Sequence, residues 1–129
     1  MYDHIGLHVH DLAASIAFYQ AALAPFGYEL CSRDDTSAGF GRPKDPALWL
    51  YAAPDAKSAK AATKTSVAHV AFRASDRATV DRFHQRGAAA GGRDNGKPGL
   101  RADYAPTYYA AFLIDPDGNN VEAVCMEPR

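Results

Sequence analysis

Three side chains far apart in the chain, His4, His69 and Glu122, are of the types that hold a cation. Two neutral imidazoles and one carboxylate leave part of a divalent ion's coordination sphere open, the arrangement of a catalytic site rather than a closed structural one. Zn, Mn, Fe(II), Ni and Co all accept such donors, so the set implies a divalent metal without naming it. Repetition lifts two of the histidines above the rest. Sliding the sequence by 65 residues places His4-Ile5-Gly6-Leu7 on His69-Val70-Ala71-Phe72, Asp11 on Asp76, Phe18 on Phe83 and Gly27 on Gly92. If the two copies are related by a pseudo-twofold, His4 and His69 hold equivalent places, and an ion between them sees both. Glu122 shares a strand face with Asn120 and Val124, where a carboxylate among apolar neighbours needs a partner such as a cation.

The other histidines lack this support. His8 and His10 lie about 7 Å apart along a strand, close enough to share an ion, whereas His4 and His8 are about 13 Å apart and cannot. Nothing in the repeat singles out His8, His10 or His84. Beside an ion, His8, Tyr108 and Tyr109 are the candidates for proton transfer, with Tyr108 and Tyr109 on alternate faces of their strand. Trp49, Arg101 and Tyr104 are candidate substrate contacts, Arg101 and Tyr104 offering an anion clamp and a phenolic donor. Gly39-Phe40-Gly41 lacks the spacing of a phosphate loop and reads as a strand with close backbone approach. Asp115 and Asp117 read as turn formers. Cys31 and Cys125 form no CxxC pair and read as reduced, structural thiols.

Two copies of one unit must position these groups. Each opens with a strand whose apolar side chains (Ile5, Leu7, Val9; Val70, Phe72, Ala74) alternate with His4, Gly6, His8 and His10 or with His69, Ala71, Arg73 and Ser75. Asp11 and Asp76 sit at N-cap positions and open helices, the first on Leu12, Ile16, Tyr19 and Leu23, the second on Val80, Phe83 and Gly87. Pro25 and Gly27 end one helix, Gly91-Gly92 the other. Strands are expected at 28–31, 38–41, 48–52, 108–114 and 120–126, with Asp115-Pro116-Asp117-Gly118 as a type I turn making the last hairpin. Aligning Pro43 with Pro116 raises the offset to 73 and sets Trp49 against Glu122, so the second copy holds eight more residues. They fit in 91–106, expected to be a long surface loop. The fold class is α+β: paired βαβββ modules, about 1–54 and 66–129, joined by a connector at 54–65, with a curved, cup-like mixed sheet and helices outside.

Composition narrows the partners. The chain has 129 residues, 47% of them hydrophobic, and a formal charge of −1. That is enough apolar content for one core and no basic surplus for nucleic acid. The longest apolar run, residues 108–114, falls well short of the roughly 20 needed to cross a bilayer. With no basic segment leading into a long apolar one at the start, the expected location is the cytoplasm and the expected partner a small molecule.

Together, His4-Ile5-Gly6-Leu7-His8-Val9-His10-Asp11-Leu12-Ala13-Ala14-Ser15 with Phe18-Tyr19, then Ala68-His69-Val70-Ala71-Phe72, then Asp115-Pro116-Asp117-Gly118-Asn119-Asn120-Val121-Glu122 resemble the vicinal oxygen chelate superfamily. Its members include glyoxalase I, the fosfomycin-resistance transferases, bleomycin-resistance proteins and extradiol dioxygenases. The resemblance covers nearly the whole chain and implies a metal that chelates substrate through adjacent oxygens, with His4, His69 and Glu122 falling on the ligand positions. It further implies a homodimer in which His4 of one subunit meets His69 and Glu122 of the other. Trp49 stands where glyoxalase I has a second Glu that is both ligand and base, so the resemblance points toward the three-ligand transferases and dioxygenases. A bleomycin-resistance-like protein that sequesters a planar drug, with Trp49, Tyr51, Phe40 and Tyr108 as stacking residues, is the alternative.

Overall fold

A computed structural model describes residues 1–53 and 67–128. The first half runs β1 (Ile5–Val9), α1 (Leu12–Leu23), β2 (Glu29–Arg33), β3 (Ser37–Arg42) and β4 (Asp45–Ala52); the second runs β5 (His69–Arg73), α2 (Arg77–Ala89), β6 (Arg93–Leu100), β7 (Tyr109–Ile114) and β8 (Asn120–Cys125). Each half forms its own four-stranded sheet, ordered β1-β4-β3-β2 and β5-β8-β7-β6. In both, the first strand pairs parallel with the last and the other pairings are antiparallel. The sequence repeat is therefore a repeat of topology. The connector expected at 54–65 lies outside the described residues.

The Asp caps hold both helices open at their first turns: the Asp11 carboxylate accepts from Ala14 N at 3.1 Å and Asp76 from Thr79 N at 2.7 Å. A short 3-10 turn, Ala24–Phe26, follows α1 and ends at Gly27, whose φ of 82° is the left-handed conformation that glycine takes without a Cβ clash. The buried side of α2 is one stripe, Thr79, Val80, Phe83 and Gly87, whereas α1 buries Ser15, Ile16, Phe18, Tyr19, Ala22 and Leu23, more than one face. The helices pack on each other through Gly87. A Cβ there would come within 2.4 Å of Leu113 and 3.2 Å of Ala22.

The alternate side chains of both sheets, Leu7, Val9, Leu48 and Leu50 with Val121, Ala123 and Cys125, join the helices in one core. The opposite faces carry the polar positions. Between β7 and β8, Gly118 N donates to Asp115 O at 3.0 Å, closing the turn expected there. Residues 93–100, expected to be loop, instead form β6. Its Asn-Gly-Lys-Pro-Gly composition hides the strand, and the pairing with β7 breaks register twice, at Asp94/Gly96 and at Gly96/Gly99. Among the described residues no helix is long and apolar enough to cross a membrane.

Candidate functional site

Glu122 sits in the middle of β8, beside Ala71 of β5 and Phe112 of β7, and is 3% exposed. Burying a carboxylate this far requires partners for both oxygens. Oε2 accepts the Tyr108 hydroxyl. Oε1 lies 3.1 Å from His69 Nε2, at the start of β5. The other ring nitrogen, His69 Nδ1, is 3.0 Å from the main-chain carbonyl oxygen of Asn120. A carbonyl only accepts, so Nδ1 carries a proton and, in the neutral ring, Nε2 turns its lone pair toward the carboxylate.

Two acceptors facing each other at 3.1 Å call for positive charge, either a proton on Nε2 or a cation shared by both atoms. The donor chemistry fits a divalent ion. Metal bonds of about 2.0–2.2 Å allow donors at that separation to share one centre, and an Nδ1–H on a main-chain carbonyl is the usual outer support of a ligating histidine.

Within one chain the third expected donor stays apart. His4 precedes β1, its ring is half exposed and its Nδ1 lies 2.7 Å from Asp3 Oδ1. Among the described residues no three His, Cys, Asp or Glu side chains converge. The physical reason is topological: β1 and β5 are edge strands of separate sheets and do not pair with each other. His4 instead borders a cavity of about 370 Å³ shared with Tyr2, Asp3, Tyr28, Arg42 and Phe72.

Tyr108 joins Glu122, and burial together with the Glu122 hydrogen bond pushes its phenol up to about 12. Tyr104, largely exposed, packs edge-on against Tyr108 with centroids 5.1 Å apart. Tyr109 is turned to the helix side: its hydroxyl donates to Asp81 of α2 at 2.7 Å and Arg77 lies over its ring, so the proton-transfer role considered for it has no geometric support. Burial and the Asp81 contact raise its pKa. Arg101 reaches across the ring of Phe112, the register partner of Glu122.

His8 and Trp49 belong to the other sheet. Trp49 and Tyr51 lie nearly parallel, 14° apart, and the His8 ring is 5.8 Å from Tyr51. The space under these rings comes from glycine. A Cβ at Gly39 would be 2.9 Å from the Trp49 ring, and one at Gly6 would be 2.8 Å from Tyr51. Phe40, expected to stack on a ligand, is 1% exposed on the core side and faces Tyr19 instead.

His84 bonds Asp94 at 2.8 Å, and the His10 main-chain N donates to Asp117. Cys125 is buried, and the half-buried Cys31 thiol points at the Arg42 carbonyl. Sequence reading overlooked Phe112, which stacks on His69 at 6.5 Å. Counting back from the turn, Ile114 opposite Asn120 and so Phe112 opposite Glu122, would have found it.

A family profile described as the glyoxalase/bleomycin resistance protein/dioxygenase superfamily matches residues 2–123. No curated protein matches the chain. Among solved structures, a glyoxalase/bleomycin resistance protein from Albidiferax ferrireducens is 25% identical, with 97% of this chain and 98% of that chain covered and a TM-score of 0.77. A putative glyoxalase from Bacillus halodurans is 26% identical, with 97% and 95% covered and a TM-score of 0.71. A glyoxalase/bleomycin resistance protein/dioxygenase from Nocardioides is 25% identical, with 97% and 82% covered and a TM-score of 0.63.

Proposed function

Because this chain belongs to the glyoxalase/bleomycin resistance protein/dioxygenase superfamily, we propose that it is a metal-dependent enzyme whose ion is held by His69 and Glu122 together with His4 of a second copy. The observation that carries this reading is His69 Nε2 set 3.1 Å from a buried carboxylate oxygen while its Nδ1 lies against a main-chain carbonyl. Among the described residues the outer edges of β1 and β5 pair with no strand, which supports assembly with a second copy, since a free strand edge is a template for pairing.

When bound there, a divalent ion supplies Lewis-acid polarisation of a carbonyl, epoxide or diol oxygen. The chain's own groups set the surroundings. Asn120 fixes the His69 tautomer, and Tyr108 holds one oxygen of Glu122 so that the other faces the histidine. The Tyr108 phenol keeps its proton at neutral pH and donates it in a hydrogen bond to Glu122. In the first sheet Trp49 lies beside Gly6 as Glu122 lies beside Ala71, and an indole takes no proton. Carboxylate-based proton removal from that side, the glyoxalase I route, is therefore closed, and the substrate is a small oxygenated molecule activated at a three-donor site.

Elemental analysis of protein purified without chelator is expected to find about one metal ion per chain, and sedimentation a dimer. H4A and E122Q should each lose the metal, and an equal mixture of the two refolded variants should restore it to about a quarter of the sites, because about half of the dimers are then mixed and each of those has one intact set of its two. Absence of metal after incubation with Mn, Zn, Ni and Fe(II), or failure of the mixture to recover it, overturns the reading.

The glycine-floored Trp49–Tyr51 surface favours a second reading, sequestration of a planar aromatic compound without turnover. Tight quenching of Trp49 fluorescence by such a compound in metal-free protein would support it.

A further inference from the structure

We propose that Arg101 forms an anion subsite on the Glu122 face of the second sheet, so that the substrate carries a carboxylate or phosphoryl group beside its metal-activated oxygen. This rests on the reading that Glu122 marks the reaction site.

The guanidinium is fixed in place. Its Nη1 donates to the Gly99 carbonyl at 2.9 Å and its Nη2 to the Lys97 carbonyl at 2.8 Å. The central carbon lies 5.4 Å from the centroid of Phe112, whose ring also stacks on His69. Main chain ties the same loop to the site, because Arg101 N donates to Tyr108 O at 2.7 Å. Glycine makes the room: a Cβ at Gly96 or Gly99 would come within 3.2 Å of the guanidinium nitrogens.

These contacts use two of five N–H donors and neutralise no charge, since main-chain carbonyls accept without being anions. Among the described residues no carboxylate pairs with Arg101. A half-buried cation with its entropy already spent and three donors free is built for an oxyanion, which a guanidinium grips with charge-assisted hydrogen bonds. Phe112 packs against both Arg101 and His69, so the guanidinium and the imidazole border one side chain on the Glu122 face.

The test is titration of the full-length, metal-free protein with acetate, inorganic phosphate and neutral acetamide, following the Arg101 Nε–H resonance. Acetate or phosphate should shift it saturably and acetamide should not; whichever anion binds tighter identifies the group. R101Q should weaken the binding about 10- to 100-fold, as expected for lost charge-assisted hydrogen bonds, while leaving Mn(II) binding unchanged. G99A keeps the charge but displaces the fork, and should weaken anion binding with no loss of fold. No saturable shift with either anion, or equal binding by R101Q, overturns the proposal. Mn(II) binding is read separately, so failure of the metal site is distinguishable from failure of the anion subsite.

Discussion

The two halves of the molecule share one topology and put it to opposite uses. On the outward face of the second sheet stand His69, Glu122, Tyr108 and Arg101, a set of charges and donors held by one another and by main chain. On the first sheet Trp49 takes the place of Glu122 and lies with Tyr51 over glycines, with the His8 ring tilted against Tyr51. The register makes the contrast sharp: beside Gly6 the repeat places Trp49, and beside Ala71 it places Glu122. A duplicated scaffold thus keeps its packing side, which must fit a shared core, while its open side diverges, because no packing constraint opposes the change.

The halves are also joined by one turn. Asp115 is 3% exposed, and its carboxylate accepts from Asp117 N, Asn119 N, Asn119 Nδ2 and, at 2.5 Å, the hydroxyl of Tyr19 in α1. Asp117 reaches the first half as well, through His10 N at 2.7 Å and Ser15 Oγ at 3.2 Å. D115A strands four donors and should cost about 3 kcal/mol or more, the largest stability effect predicted, whereas the more exposed D117A should cost about 1 kcal/mol. Urea unfolding measures both. Equal, small losses would mean that the halves are held together by apolar packing alone.

The next effect concerns the charged face. Y108F removes the donor to Glu122 Oε2 and should weaken metal binding about 10-fold, the scale of a lost support to a ligand, while barely changing unfolding. Isothermal titration with Mn(II) is the measurement. Unchanged affinity would show that the Glu122 carboxylate is positioned without the phenol.

The aromatic face has its own probe, since Trp49 is the chain's single tryptophan. G39A sets a methyl 2.9 Å from its ring and should lift the indole off the sheet, shifting its emission. Because the ring is half exposed and can move, the stability cost should be about 1 kcal/mol, at the low end for overpacking. An unchanged spectrum would mean that the indole does not rest on Gly39.

How much of this was legible in the sequence follows from which constraints are local. The Asp caps, the turn at Asp115 and the alternation of β1 and β5 are local rules, and the structure shows them where the pattern placed them. The superfamily resemblance is matched over residues 2–123. What failed was non-local. β6 owes its existence to pairing with β7 rather than to its own Gly- and Pro-containing residues, so no propensity announces it. Residue type alone puts Tyr109 and Phe40 near a ligand, but alternation along β7 and β3 sends each to the helix side. The repeat matches His4 to His69 without saying whether one chain brings them together; the resemblance implies a site shared between subunits, and among the described residues the separate sheets keep His4 away from His69 and Glu122 within one chain.

The smallest effect is a pH slope that separates the Glu122 face from the rest. An unfolded tyrosine titrates near pH 10, whereas burial and the Glu122 contact push Tyr108 up to about 12. Between those values the folded chain holds a proton that the unfolded chain has released, so the contribution is complete below about pH 10 and is lost as pH rises through about 12. Tyr19 and Tyr109 are raised too, by burial and by Asp115 and Asp81, and add to the same alkaline loss. The difference between wild type and Y108F cancels them. Stability of the metal-free protein should therefore fall less steeply in Y108F over that interval, and by a small margin because the phenol is only partly buried. Identical slopes would show that Tyr108 is not bonded to Glu122 in solution, leaving His69 as that carboxylate's sole partner on this face.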